Sequence, residues 1–121
     1  MTNIAIVVLD TLRKDSFDEM FGWLPGCQYE NAYSTGSWTV PSHASLFAGK
    51  YPSELGVHSK NRYLDCKEET LAEVLSKSGY YTASYSCNPY VSNIFDFDRG
   101  FDEFKGSWRL KHFDPELFDW K

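Results

Sequence analysis

Residues 3–13 read NIAIVVLDTLR, and this stretch carries the main fold signal of the chain. Residues 3–9 form a continuous β-branched and aliphatic run, which favours a strand covered on both faces, as in a parallel sheet. Asp10 follows the run directly, so it would lie at the carboxyl end of that strand, where open α/β sheets place their ligand sites. The stretch therefore predicts an α/β fold with a carboxylate at the sheet edge.

Helix and strand signals alternate along the rest of the chain, which is typical of an α/β sheet. Pro41 and Gly49 would begin and follow a helix, and Thr70 with Glu73 matches a capping box. In that last helix the face expected to be buried carries Leu71, Val74 and Leu75. The predicted helices are residues 11–20, 41–48 and 70–79. The further predicted strands are residues 29–34, 80–86 and 100–104, with an ordered polar loop at 51–65.

Composition excludes several classes of protein. The chain of 121 residues has a net charge of −5 and no basic block, which disfavours nucleic acid as a partner. The apolar run is too short to span a bilayer, and no positive charge precedes it as in a secretory signal. Three widely spaced cysteines fit reduced thiols. We therefore expect a cytoplasmic globular protein that binds no membrane.

A second chemical signal lies at residues 37–46, SWTVPSHASL. Thr39 stands just ahead of a helix that begins with Pro41, and the amino end of a helix favours an anion. A hydroxyl beside an anion site and a metal-binding carboxylate such as Asp10 suits attack on a phosphate or sulfate ester. Taken alone, these residues could equally have purely structural roles. Asp10 could be a helix cap, Thr39 a turn residue and His43 a packed or surface histidine.

The order of segments resembles the N-terminal part of the sulfatase branch of the alkaline phosphatase superfamily. This resemblance implies a three-layer α/β/α fold around a mostly parallel central sheet, with residues 1–121 forming the N-terminal part of the catalytic domain. The resembling segments are residues 3–13, residues 30–34 (ENAYS), residues 38–49 (WTVPSHASLFAG), residues 51–54 (YPSE), residues 56–57 (GV), residues 70–82 (TLAEVLSKSGYYT) and residues 100–104 (GFDEF).

The resemblance also implies an active site. Asp10 would be a metal ligand, and Thr39 would be the nucleophile and a second ligand. Calcium or magnesium would suit these oxygen donors, with manganese or zinc as alternatives. His43 takes the place of the motif arginine as a catalytic residue, while Asn88 and His58 would contact the substrate, a small sulfate or phosphate ester.

Three departures from the family pattern bear on the activity. Oxidation of Thr39 would give a ketone, so we expect no formylglycine and a direct attack by the hydroxyl, as in phosphodiesterases of the superfamily. Thr11 stands where the family has a second aspartate, and His43 is only partly charged near neutrality.

The family's second set of metal ligands has no counterpart in the sequence. We therefore expect the front portion of a larger catalytic domain, whose partner is the missing C-terminal half or a second copy. The aromatic tail, with Trp108, Phe113, Phe118 and Trp120, would supply a partner surface. The alternatives are a catalytically inactive module that binds an anion or a protein partner, and a metal-free structural domain.

Overall fold

A computed structural model describes residues 2–106 of the chain. The chain divides into two compact units, with the boundary between Tyr33 and Ser34. The first unit contains helix α1 (Lys14–Met20). The second contains α2 (Thr39–Ala48), α3 (Pro52–Leu55), α4 (Leu71–Lys77), strand β1 (Ala83–Ser86), a 3₁₀ turn (Asn93–Phe95) and strand β2 (Glu103–Gly106). The predicted aromatic partner surface, Trp108 to Trp120, lies outside the described residues.

Charge pairs and stacked rings hold the first unit. Lys14 Nζ lies 2.6 Å from Asp18 Oδ2, one helical turn away on α1. The rings of Phe17 and Phe21 stack with centroids 5.3 Å apart. Every side chain of α1 is at least partly exposed. The predicted helix over residues 11–20 is thus confirmed in its second part.

The two strands predicted in the first unit are wrong. Residues 3–9 are irregular, and Val7 is 82% exposed. The stretch 29–34 contains a turn at Glu30 and Asn31. A strand is stabilised by hydrogen bonds to a neighbouring strand and by cover on its apolar face. Residues 3–9 have the composition for such a position, but no strand pairs with them within residues 2–106.

Helix α2 begins earlier than predicted. Trp38 is extended (φ −153°, ψ 170°), and helical geometry starts at Thr39, which makes Pro41 the third helical residue. Proline is tolerated there because the N–H groups of the first turn have no partner within the helix. The predicted end is confirmed, since Gly49 follows the helix with φ 65°, in the left-handed region that glycine adopts readily.

Helix α4 confirms the predicted capping box but not the predicted buried face. Glu73 N donates to Thr70 Oγ1 at 3.2 Å, and Thr70 N donates to Glu73 Oε2 at 2.7 Å. The buried residue is Ala72, whereas Leu71 and Val74 are exposed. Helical periodicity groups residues on a face, but the neighbouring elements decide which face is covered. Here α4 contacts α2, and the side chain of Glu73 is partly buried.

Strands β1 and β2 pair in parallel, with Ala83 opposite Glu103 and Ser86 opposite Gly106. Strand β1 lies within the predicted strand 80–86, and β2 overlaps the end of the predicted strand 100–104. The α/β class and the parallel pairing are therefore confirmed. The three-layer architecture stays a prediction, because the sheet formed by the described residues has two strands.

The apolar core of the second unit joins α2 to the loops around it. Phe97 is completely buried, and its ring lies edge-on to Phe47 at 5.7 Å. The stretch predicted as a polar loop, residues 51–65, contains α3 and contributes three core side chains. The core consists of Val40, Ala44, Leu55, Val57, Leu64, Val91 and Phe97. Within residues 2–106, no helix has the length and apolar character needed to cross a membrane.

Candidate functional site

Thr39 lies at the start of the ten-residue helix α2, half-buried. The amino end of a helix carries unsatisfied N–H groups and the positive end of the helix dipole. Trp38, the residue before the helix, makes no side-chain capping bond with the described residues. Thr39 therefore lies at a place in the backbone that favours a negatively charged group.

The loop before α2 packs closely on the first helical turn. Ser42 Oγ lies 2.9 Å from Ser34 Oγ and 2.9 Å from the carbonyl oxygen of Gly36. A β-carbon on Gly36 would lie 2.9 Å from Pro41 Cγ, so a larger residue would displace the loop. The sequence did not reveal this packing of the loop on α2. Its only local sign is that Gly36, Pro41 and Ser42 lie close together in the chain.

His43 is buried (9% exposed), and its ring reaches the helical turn before it, toward the amino end of α2. Its Nδ1 lies 2.8 Å from the carbonyl oxygen of Thr39. The ring also meets Phe47 edge-on, with centroids 6.5 Å apart. The structure thus brings two predicted site residues together, through the backbone of Thr39.

Asn88 lies just beyond the carboxyl end of β1 and is half-buried. Its Oδ1 accepts from Tyr90 N at 2.9 Å, which closes a turn. The ring of Tyr90 meets Trp38 edge-on, with centroids 6.5 Å apart. Because Trp38 precedes Thr39, this contact joins the Asn88 turn to the start of α2.

His58 lies in an exposed turn of the second unit. Its backbone pairs with Asn61 through hydrogen bonds of 2.8 and 3.0 Å. Its Nδ1 accepts from Lys60 N at 3.2 Å, so this nitrogen shapes the turn. The predicted contact of His58 with substrate stays a prediction.

Asp10 lies in an exposed turn of the first unit, where Leu12 N donates to Leu9 O at 3.2 Å. The next residue, Thr11, has φ 63°. A β-branched residue is strained in this left-handed region, and strain of this kind clusters at functional sites. The sequence placed Asp10 at a strand end, whereas the structure places it in a strained turn.

The two predicted metal ligands, Asp10 in the first unit and Thr39 in the second, each offer a donor of a suitable type. The carboxylate of Asp10 and the hydroxyl of Thr39 are hard oxygen donors, which calcium and magnesium prefer. Calcium takes about six to eight such ligands. Within residues 2–106, no three His, Cys, Asp or Glu side chains are grouped so that they could hold a metal ion.

The second unit also contains a charged contact that the sequence did not reveal. Arg99 donates to the carbonyl oxygens of Leu64 (2.8 Å), Cys66 (3.0 Å) and Glu68 (3.1 Å). It also pairs with Glu73 of α4 at 3.1 Å. A single arginine between aromatic segments carries no sequence signal for such a role, which depends on contacts distant in the chain.

Comparison with known proteins finds similarity to sulfatases along almost the whole chain. The sulfatase family matches residues 3–116, a range that includes both Asp10 and Thr39. An ulvan-active sulfatase of Formosa agariphila is 32% identical over 81 residues. That alignment covers 67% of this chain and 14% of the relative, so the chain spans a small part of the relative's length. No solved structure matches the chain. The extent of the family match shows that this chain belongs to the sulfatase family.

Proposed function

We propose that this chain supplies the nucleophile-bearing part of a metal-dependent hydrolase of sulfate or phosphate esters. The observation that carries the proposal is the position of Thr39 at the amino end of α2, within residues 3–116 that match the sulfatase family. The activity would belong to the whole protein, because the aligned part of this chain covers 14% of the ulvan-active sulfatase.

Thr39 would react as a hydroxyl rather than as a formylglycine. Its Oγ1 would form a bond to the phosphorus or sulfur atom, and the bond to the leaving oxygen would break. The proton of the hydroxyl would end on the leaving alkoxide, which departs as an alcohol. Water would then cleave the Thr39 ester, releasing the acid and restoring the hydroxyl.

The start of α2 would bind the anionic group of the ester. Its N–H groups and helix dipole favour negative charge. The Asn88 turn, joined to this end of the helix by Trp38 and Tyr90, would add a polar side chain to the same region. These contacts support a small anionic substrate.

Asp10 would be one ligand of a divalent ion, with Thr39 as another. Calcium or magnesium suits the oxygen donors, and manganese and zinc are the alternatives. The further ligands would come from outside residues 2–106, in the same protein or in a second copy. When bound, the ion would stabilise negative charge on the transferred group.

The test is turnover by the full-length product of the reading frame that encodes this chain. Aryl sulfates, phosphodiesters and ulvan are assayed with calcium, magnesium, manganese and zinc in turn. We expect metal-dependent turnover that Thr39→Ala reduces by at least about a hundredfold and Thr39→Ser largely retains. Mass spectrometry of the Thr39 peptide should find the unmodified residue.

Two results would overturn the proposal. One is equal turnover by the wild type and Thr39→Ala. The other is a complete lack of turnover with all four metals while sulfate or phosphate still binds, which would instead establish an inactive anion-binding module.

A further inference from the structure

We infer that His43 is a positioning residue whose ring carries a proton on Nδ1. Through this N–H it would stabilise the first turn of α2 at the backbone of Thr39. The structural part rests on the contact between His43 and the Thr39 backbone. Its consequence for turnover rests on the proposed function, in which Thr39 is the nucleophile.

The tautomer follows from the chemistry of the contact. A carbonyl oxygen can only accept a hydrogen bond, so the 2.8 Å contact with Thr39 O requires a proton on Nδ1 of His43. In the neutral ring the lone pair is then on Nε2. A neutral ring in this form offers no N–H at Nε2 to a substrate anion. It therefore cannot reproduce the permanent charge of an arginine at this position.

The bond from His43 reinforces the first turn of α2 at the carbonyl oxygen of Thr39. In an α-helix the carbonyl of Thr39 accepts the main-chain N–H of the residue four positions later, which is His43. The oxygen has two lone pairs, so the ring of His43 adds a second bond to the same carbonyl.

The ring is held in the orientation that this bond requires. It is 9% exposed, and Phe47, one turn further along α2, meets it edge-on. A ring fixed on one side by packing and on the other by a hydrogen bond has little freedom to rotate. His43 would thus keep the backbone of Thr39 in place while the hydroxyl reacts.

The first experiment reads the tautomer directly, without substrate. Long-range ¹H–¹⁵N correlation spectra of the labelled full-length protein, assigned with His43→Asn, are recorded at mildly alkaline pH. We expect the correlations of a neutral ring protonated at Nδ1. A neutral ring protonated at Nε2 would overturn the inference, whatever the enzyme does.

Matched variants then separate positioning from packing. The side-chain amide of His43→Asn places a donor near Nδ1, that of His43→Gln places one near Nε2, and His43→Phe keeps a ring without a donor. Amide exchange in the first two turns of α2 should change little in His43→Asn. It should speed up about tenfold in His43→Gln and His43→Phe, the effect of one lost hydrogen bond.

Turnover should follow the same order, with kcat lowered about tenfold or more in His43→Gln and His43→Phe and largely retained in His43→Asn. Higher turnover in His43→Gln than in His43→Asn would overturn the positioning role. If no variant and no wild type turns over substrate, the proposed function fails, while the spectra and the exchange rates still decide the role of His43.

Discussion

Arg99 and Glu73, which are 26 positions apart in the sequence, form a partly buried ion pair with a nitrogen–oxygen distance of 3.1 Å. Their side chains are only 25% and 26% exposed. The same guanidinium donates to three backbone carbonyls of the segment 64–68. One side chain therefore connects α4, this segment and the turn before β2.

Replacing Arg99 should weaken the second unit. Arg99→Ala leaves the three carbonyls and the Glu73 carboxylate without their donor, so we expect a loss of about 2 to 4 kcal/mol in the free energy of unfolding. Urea denaturation measures it. Arg13→Ala, which removes an exposed pair with Asp15, is the matched control and should cost less than about 1 kcal/mol. Equal effects of the two variants would contradict the role of Arg99.

Glu73 should make the stability depend on pH. The hydrogen bond from Thr70 N, followed by the charge of Arg99, holds the pKa of the Glu73 carboxyl below its ordinary value. A carboxyl whose pKa is lowered in the folded state contributes stability above its unfolded pKa, about 4.3. That contribution is lost as the pH falls through the lowered folded pKa.

Urea denaturation of the wild type and Glu73→Gln across this acid range checks the effect. The wild type should be more stable than the variant at neutral pH, and the difference should shrink as the pH falls. A difference that stays constant down to the acid limit of folding would contradict the linkage.

Gly100 should not tolerate a side chain. It has φ 80°, and a β-carbon there would collide with the backbone nitrogen of Glu73. We expect Gly100→Ala to lower the free energy of unfolding by about 2 to 4 kcal/mol. Gly49→Ala is the control, since φ is 65° there but no atom lies within 4 Å of the added carbon. Gly49→Ala should lower the free energy of unfolding by about 1 kcal/mol. If Gly100→Ala lowered it by the same amount, backbone strain alone would explain the loss and the collision would not.

Ser45 should be replaceable with a gain in stability. Its hydroxyl is buried, with the residue 7% exposed, and makes no hydrogen bond with residues 2–106. Ser45→Ala removes an unsatisfied polar group, so we expect the free energy of unfolding to rise by about 1 kcal/mol. Ser42→Ala, which loses contacts with Ser34 and Gly36, should instead lower it. A loss of stability in Ser45→Ala would show that its hydroxyl has a partner.

Local signals in the sequence were sufficient to predict where some helices begin or end. Thr70 and Glu73 satisfy each other's backbone groups within one helical turn, so the start of α4 could be predicted. Gly49 ends α2 because its left-handed conformation suits glycine. The same local reasoning failed for residues 3–9, whose strand character depends on a neighbouring strand.

The family and the position of Thr39 at the start of a helix were readable from short segments of the sequence, and the alternation of helix and strand signals predicted the parallel α/β class. The contact between His43 and Thr39 O also spans one helical turn, but the buried ring that completes it depends on tertiary packing. The link of Arg99 to α4 and the contact of Trp38 with Tyr90 join segments distant in the chain. Such contacts come from the folding of the second unit around its core, and the contact of Trp38 with Tyr90 joins the start of α2 to the turn that carries Asn88.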